Sequence, residues 1–200
     1  MKKKPTRKER DYLRHKSEII ETAEELFAEE GYYNVTMDMI AENSEYSKGS
    51  LYNYFESKEV LFFEILNNKT EILEIGLNKR VSESLTIVDK LNAFIEFYLD
   101  FFTENIGFFR IAETEKYNLA NFTQKKMMLT LRKKYFNHLE KIRSIVKLDQ
   151  KIKEEESILI ASAISGMLNG LITRNFLFEK KIEIERIKTF AKSKILTLIK

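Results

Sequence analysis

Lys48, Gly49 and Ser50 place a cation, a residue without a side chain and a hydroxyl in succession. Small and polar residues at the start of a short helix suit contact with base edges, because that first turn must approach them closely. Chemistry of other kinds finds little support. No cysteine is present, which excludes thiolate metal sites, disulfides and cysteine nucleophiles. His15 and His138 are the only histidines, and neither has the glutamate three residues earlier that a di-metal bundle requires. Neither a phosphate-binding Gly-rich loop ending in Gly-Lys-Ser/Thr nor a Gly-x-Ser-x-Gly elbow occurs. The expectation is a protein with no catalytic residue, no metal and no cofactor.

The elements that would position the Lys48 run can be read from periodicity. In 200 residues with 44% hydrophobic and 32% charged side chains, the one proline is Pro5 and only six glycines occur. An all-α chain follows, with a first helix through Ile19, Ile20, Ala23, Leu26 and Phe27 that Gly31 closes. Thr36 can cap a second, two-turn helix carrying Met37, Ile40 and Ala41, and Ser47 a third carrying Leu51 and Phe55. Ser57 with Glu59 opens a long fourth helix. The second and third, joined through Ser44-Glu45-Tyr46, form a helix-turn-helix pattern.

Charge is distributed unevenly. In the first 16 residues eight cations face Glu9 and Asp11, a net of +6, whereas from Ser17 to Lys58 only Lys48 and Lys58 oppose ten acids, a net of −8. A polyanion would therefore meet a basic arm and a few placed cations, unless the arm is a solubilising tail.

Ile19, Ala23, Leu26, Phe27, Gly31, Tyr32, Thr36, Ile40, Ala41, Ser47, Lys48, Gly49, Leu51, Tyr52, Tyr54, Phe55, Lys58 and Glu59 together resemble the TetR family of bacterial one-component transcriptional regulators. The resemblance spans a quarter of the chain. It implies a DNA-binding part at 1–56 and a helical ligand-binding and dimerisation part at 57–200. It further implies that Thr36, Tyr52, Tyr54 and Lys58 hold phosphates, while Ser47, Lys48, Gly49, Ser50 and Asn53 lie where Lys can address guanine and Asn adenine. Tyr52 and Phe55 also suit a core. At the turn the family usually has Ala-Gly-Val, so Glu45 must either take the strain of positive φ or have the turn rebuilt around it, and Tyr46 needs room.

Beyond Lys58 periodicity carries the reading. Thr86 and Asp89 form a capping-box pattern ahead of Phe94, Phe97, Tyr98, Phe101 and Phe102, one broad stripe; Phe108, Phe109, Tyr117 and Phe122 follow, and Met128, Leu131, Tyr135, Leu139, Ile142 and Val146 make another stripe. Such rings fill a core, or they line a pocket for an apolar or aromatic effector formed by Phe62, Leu66, Phe94, Phe97, Tyr98, Phe101, Met128, Tyr135 and Asn169. Glu113, Asn118, His138 and Arg174 are further candidate polar anchors. A wedge at Phe62 could act through the fourth helix, which starts on the phosphates.

Ser157 to Thr173 is an uncharged run of marginal spanning length, read as a helix buried on all sides rather than inserted in a membrane. In it Ser162, Gly166 and Gly170 form a small-residue stripe, and Ile187, Ala191 and Ile195 a seam in the last helix. Both would build a homodimer interface, or else face their own domain. About nine helices are expected, in a cytoplasmic regulator that binds double-stranded operator DNA, most simply as a repressor. The competing reading is a helical adaptor or membrane-surface protein that does not bind DNA.

Overall fold

The computed structural model describes residues 6–115 and 125–199, side chains excepted at 114, 115, 125–128, 131, 135 and 177. Among them are nine helices and no strand: α1 Arg7–Glu30, α2 Met37–Asn43, α3 Lys48–Tyr54, α4 Lys58–Ser82, α5 Ile87–Glu104, α6 Ile106–Glu115, α7 Lys125–Val146, α8 Glu154–Leu177 and α9 Ile184–Ile195. The chain divides into two compact units, Met1–Asn68 with Gly107–Arg132 and Lys69–Ile106 with Lys133–Lys200. The first division falls inside α4.

α1 begins earlier than the apolar periodicity suggested, so Arg7 to Lys16 are helical rather than an extended arm. Its start is fixed locally. The Thr6 hydroxyl accepts from the Glu9 N–H at 3.3 Å, and the Glu9 carboxylate takes the Thr6 N–H at 2.6 Å. Arg14 and Glu18, one turn apart, pair at 3.1 Å. At the far end Gly31 takes φ 80° and donates to the Phe27 carbonyl. The first unit is then filled by Ile19, Ala23 and Phe27 against Val35, Ile40, Leu51, Phe55 and Phe62, all but excluded from solvent. Phe62 meets Phe27 edge-on at 5.2 Å and Tyr32 at 4.6 Å.

In the second unit α5 packs on both α8 and α9. The expected Thr86–Asp89 capping box starts α5. Lys188 pairs with Asp100 at 2.6 Å and Lys192 with Glu96, so ascending positions on α9 meet descending ones on α5 and the two run antiparallel. Ile187, Ala191 and Ile195 are consequently buried in their own unit. That corrects the seam read as a dimer contact: the ion pairs turn it inward, and Phe190, Lys194 and Leu198 face out. α8 also departs from the expected all-round burial. Ile160, Ala161, Ile164, Leu168 and Ile172 are buried, whereas Leu159 is 69% exposed and Ile158, Ser162, Ala163, Gly166 and Gly170 share its open side. Glu154–Phe176 has the length and composition of a membrane span, but one face of it is committed to the unit's core.

Gly76 on α4 is where the Phe97 ring of α5 rests, so closely that a methyl there would stand within the ring. Gly76→Val should therefore destabilise the protein by about 1–3 kcal/mol, the range for overpacking. Urea unfolding checks this; an unchanged midpoint would show that the ring swings aside freely.

Candidate nucleic-acid interface

Both short helices are capped by the residues whose types predicted it. The Thr36 hydroxyl accepts from the Met39 N–H at 3.2 Å and the Ser47 hydroxyl from the Ser50 N–H at 3.1 Å. Thr36 is exposed and its hydroxyl proton is still available to a phosphate oxygen. Ser47 and Ser50 also bond through their hydroxyls at 2.8 Å.

The turn keeps the geometry a glycine would have allowed. Glu45 adopts φ 60°, the one positive value outside glycine among the described residues, and the Tyr46 N–H reaches back to the Ala41 carbonyl at 3.0 Å. The strain of about 1 kcal/mol is carried, not avoided. Tyr46 finds its room beside α1. Its ring lies 5.4 Å from His15 and its hydroxyl donates to the Glu18 carboxylate. Burial first, and then that carboxylate, pushes the phenol up to about 12, while the phenol's hydrogen bond and the nearby Arg14 hold Glu18 below the usual carboxylate range. A second tie joins α1 to the end of α3: the Tyr12 ring lies tilted against that of Tyr54 at 4.8 Å, and His15 Nδ1 lies 3.3 Å from the Tyr54 hydroxyl. Sequence reasoning missed these anchors, whose only signal was a bulky Tyr46 where a smaller residue was expected.

On α3 itself, Lys48, Gly49, Tyr52 and Asn53 are exposed. A Cβ at Gly49 would meet nothing within 4 Å. Glycine there costs helix stability of about 1 kcal/mol relative to alanine, and no neighbour within the described chain requires it. Lys48 is not idle: its ammonium pairs with Asp38 in the first turn of α2 at 2.7 Å, which raises its pKa. Asp38→Asn should free that ammonium and remove a negative charge, raising affinity for DNA of any sequence roughly two- to fivefold, the scale of an exposed pair. Fluorescence anisotropy with matched and random duplexes measures this; unchanged affinity for both would mean that Lys48 does not meet DNA.

Lys58 occupies a different place from the one its resemblance implied. Its ammonium donates to the Tyr32 and Val35 carbonyls, each at 2.7 Å, and sits 4.3 Å from the centre of the Tyr32 ring. Burial lowers its pKa. The residue clamps the segment that leads into Thr36.

Residues 19–65 match the model of the bacterial regulatory proteins of the tetR family. Over 186 residues the chain is 30% identical to the HTH-type transcriptional regulator QacR of Staphylococcus aureus, covering 88% of this chain and 93% of that protein. The chain belongs to the TetR family of bacterial regulatory proteins. This TetR-family chain is therefore a helix-turn-helix, DNA-binding transcriptional regulator and not an enzyme. The fold agrees throughout. A tetR-family regulatory protein from Rhodococcus RHA1 superposes with a TM-score of 0.79 over 92% of this chain and 96% of that one at 17% identity. AibR, solved with isovaleryl coenzyme A and operator DNA, does so with 0.75 over 90% and 97% at 19% identity.

The TetR-family chain places the expected effector residues in several settings. Phe62 and Leu66 are buried in the first unit. Phe94, Tyr98 and Phe101 are buried in the second, Phe97 partly so, and the rings pack on one another: Phe94 on Tyr98 at 5.5 Å, Phe97 on Phe101 at 6.0 Å, Tyr98 on Phe102 at 4.7 Å. The Tyr98 hydroxyl donates to Asn169 at 2.7 Å, and buried His138 reaches Ser165 at 2.8 Å. Met128 and Tyr135 fall on α7 with side chains outside the described residues, as do Tyr117, Asn118 and Phe122 altogether.

Among the described residues, cavities that open in the second unit include the following two. One, of about 250 Å³ between α4 and α7, is mixed, with Glu74, Lys134, His138, Glu140 and Lys141 beside Leu73 and Leu77 in its walls. The other, of about 360 Å³, is mainly apolar and lies among α5, α8 and α9. None of the stripe's aromatics lines either. Among the described residues no group of three or more His, Asp or Glu side chains could hold a metal.

Proposed function

We propose that this regulator is a cytoplasmic repressor that binds a pseudo-palindromic operator as a homodimer and leaves it when an apolar or aromatic small molecule binds. Residues 1–56 are its DNA-binding part and 57–200 its effector-binding and dimerisation part. The observation that carries the DNA reading is Gly49, a helix-weakening residue in the first turn of α3 with open space at its Cβ position, flanked by exposed Lys48 and Asn53. Ser47, Lys48, Ser50 and Asn53 address base edges, and Thr36, Tyr52 and Tyr54 position the protein on phosphates. Lys58 contributes by holding the approach to α2.

Dimerisation is supported by the open side of α8. Ser162, Gly166 and Gly170 follow one another at four-residue spacing on it, beside exposed Leu159, and neither glycine would meet another atom within 4 Å if it carried a Cβ. A second copy of the helix can approach closely there. The effector reading draws on the aromatic supply of α5 and on the mainly apolar cavity beside it, and the structure of AibR with a coenzyme A ester and operator DNA offers a precedent within the fold. α4, one helix with residues in both units, is the element through which the effector would act.

A gel-shift of genomic fragments tests the core of this reading. Specific fragments should compete at least about a thousandfold better than random duplex at physiological salt, and footprints should show two-fold symmetric half-sites. Equal affinity for all fragments would defeat it.

A further inference from the structure

The larger cavity has walls from Leu99, Ile106, Ile172, Ile184 and Ile187, and among its lining residues Lys181 is the one charged side chain. Its size falls in the range of about 300–1,000 Å³ common to small-molecule sites. The cavity between α4 and α7 offers no comparable preference, since it mixes two glutamates with two lysines.

Lys181 is held in place by its surroundings. Residues 178–183 join α8 to α9, and side chains of α8 tie them down. Arg174 donates to the Lys180 carbonyl at 2.8 Å; Asn175 accepts the Ile182 N–H at 2.7 Å and donates its amide to the Ile182 carbonyl at 3.1 Å. The Lys181 ammonium then donates to the Phe176 carbonyl at 2.9 Å, in the last turn of α8, where a cation is favoured by the helix dipole. Lys181 is exposed at the cavity's edge, and an ammonium has three protons, so two remain for a further acceptor.

An apolar hollow with one pre-placed cation selects by charge as well as by shape. A hydrocarbon without a head group leaves the ammonium unused, an amine is repelled by it, and a multiply charged anion finds one partner only. We propose that this cavity is a binding site for an apolar monocarboxylate, with the chain against Leu99, Ile106 and Ile172 and the head group on Lys181. The consequence for DNA binding rests on the effector-regulated reading above, because α8, which walls the site with Ile172, also carries the proposed dimer face.

Octanoate, octanol and octylammonium are titrated into the full-length chain with the melting temperature as readout. Octanoate raises it in a concentration-dependent manner, octanol less so and octylammonium not at all. Lys181→Gln weakens the octanoate response roughly tenfold, as expected for loss of one charge-assisted contact, and leaves the octanol response unchanged. Lys181→Arg retains it. Ile184→Trp, which adds bulk to the wall, abolishes both responses, whereas Leu77→Trp in the other cavity leaves them intact. If Ile184→Trp does not fold, the Lys181 variants decide. Equal shifts from octanoate and octylammonium, or equal octanoate responses in wild type and Lys181→Gln, overturn the site. Operator affinity is measured in parallel. A protein that binds operator yet shows no Lys181-dependent shift overturns the site, while a Lys181-dependent shift in a protein without operator affinity sustains it and tells against the regulator reading.

Discussion

Lys58→Met should destabilise the DNA-free protein by about 2–4 kcal/mol, allowing for two charge-assisted hydrogen bonds of roughly 1.5–3 kcal/mol each less the cost of keeping the ammonium partly out of water. The substitution leaves the carbonyls of Tyr32 and Val35 without their donor, and Val35 is fully buried. Methionine preserves the stem, so the loss is that of the ammonium. Because these carbonyls sit just before Thr36, the start of α2 should loosen and affinity for operator and random duplex should fall together, by about tenfold or more if only 1.4 kcal/mol of the loss reaches the bound state. Urea unfolding without DNA separates the alternatives. A lysine that merely touched phosphate would leave the unfolding midpoint where it was.

Gly166→Leu should yield a folded monomer. Within the described chain a Cβ at this exposed position meets nothing within 4 Å, and leucine is the better helix former by about 0.8–1 kcal/mol, so the subunit should stay folded. A second α8 packed over Gly166 would be pushed away. Operator affinity should then fall toward that for random DNA, a loss on the order of 10³-fold, since a half-site alone gives up the second recognition helix. Light scattering with circular dichroism makes the check. A folded dimer of wild-type mass would move the interface off this stripe, and an unfolded chain would mean that the open side of α8 is needed by its own subunit.

Thr6 with Glu9, Thr36, Ser47 and Thr86 with Asp89 all act across three residues, and each of the last three caps is legible in the sequence, because a hydroxyl bonding the N–H three positions on needs no help from the rest of the chain. Gly31 at positive φ is equally local. The apolar stripe of α5 was readable too, since its burial repeats the helical period. Arg7 to Lys16 escaped because a capping box and ion pairs on an otherwise polar segment leave no hydrophobic period to notice.

What a side chain meets is a different matter, decided by partners far along the chain. The family resemblance implied that Lys58 holds a phosphate, but its acceptors are carbonyls 26 and 23 residues earlier. Tyr98 finds Asn169 across 71 residues, and Lys192 finds Glu96 across 96. Periodicity showed that α9 has an apolar seam and α8 a small-residue stripe; only packing against α5 turned the first inward and left the second open. The amino-acid sequence thus determined by itself the all-α class and the two short helices of the helix-turn-helix with their caps, for these depend on interactions within about one helical turn. The tertiary structure decided which cations remain available, which rings pack together and where cavities open, because each of those depends on charges and surfaces brought together over long separations by burial of the core.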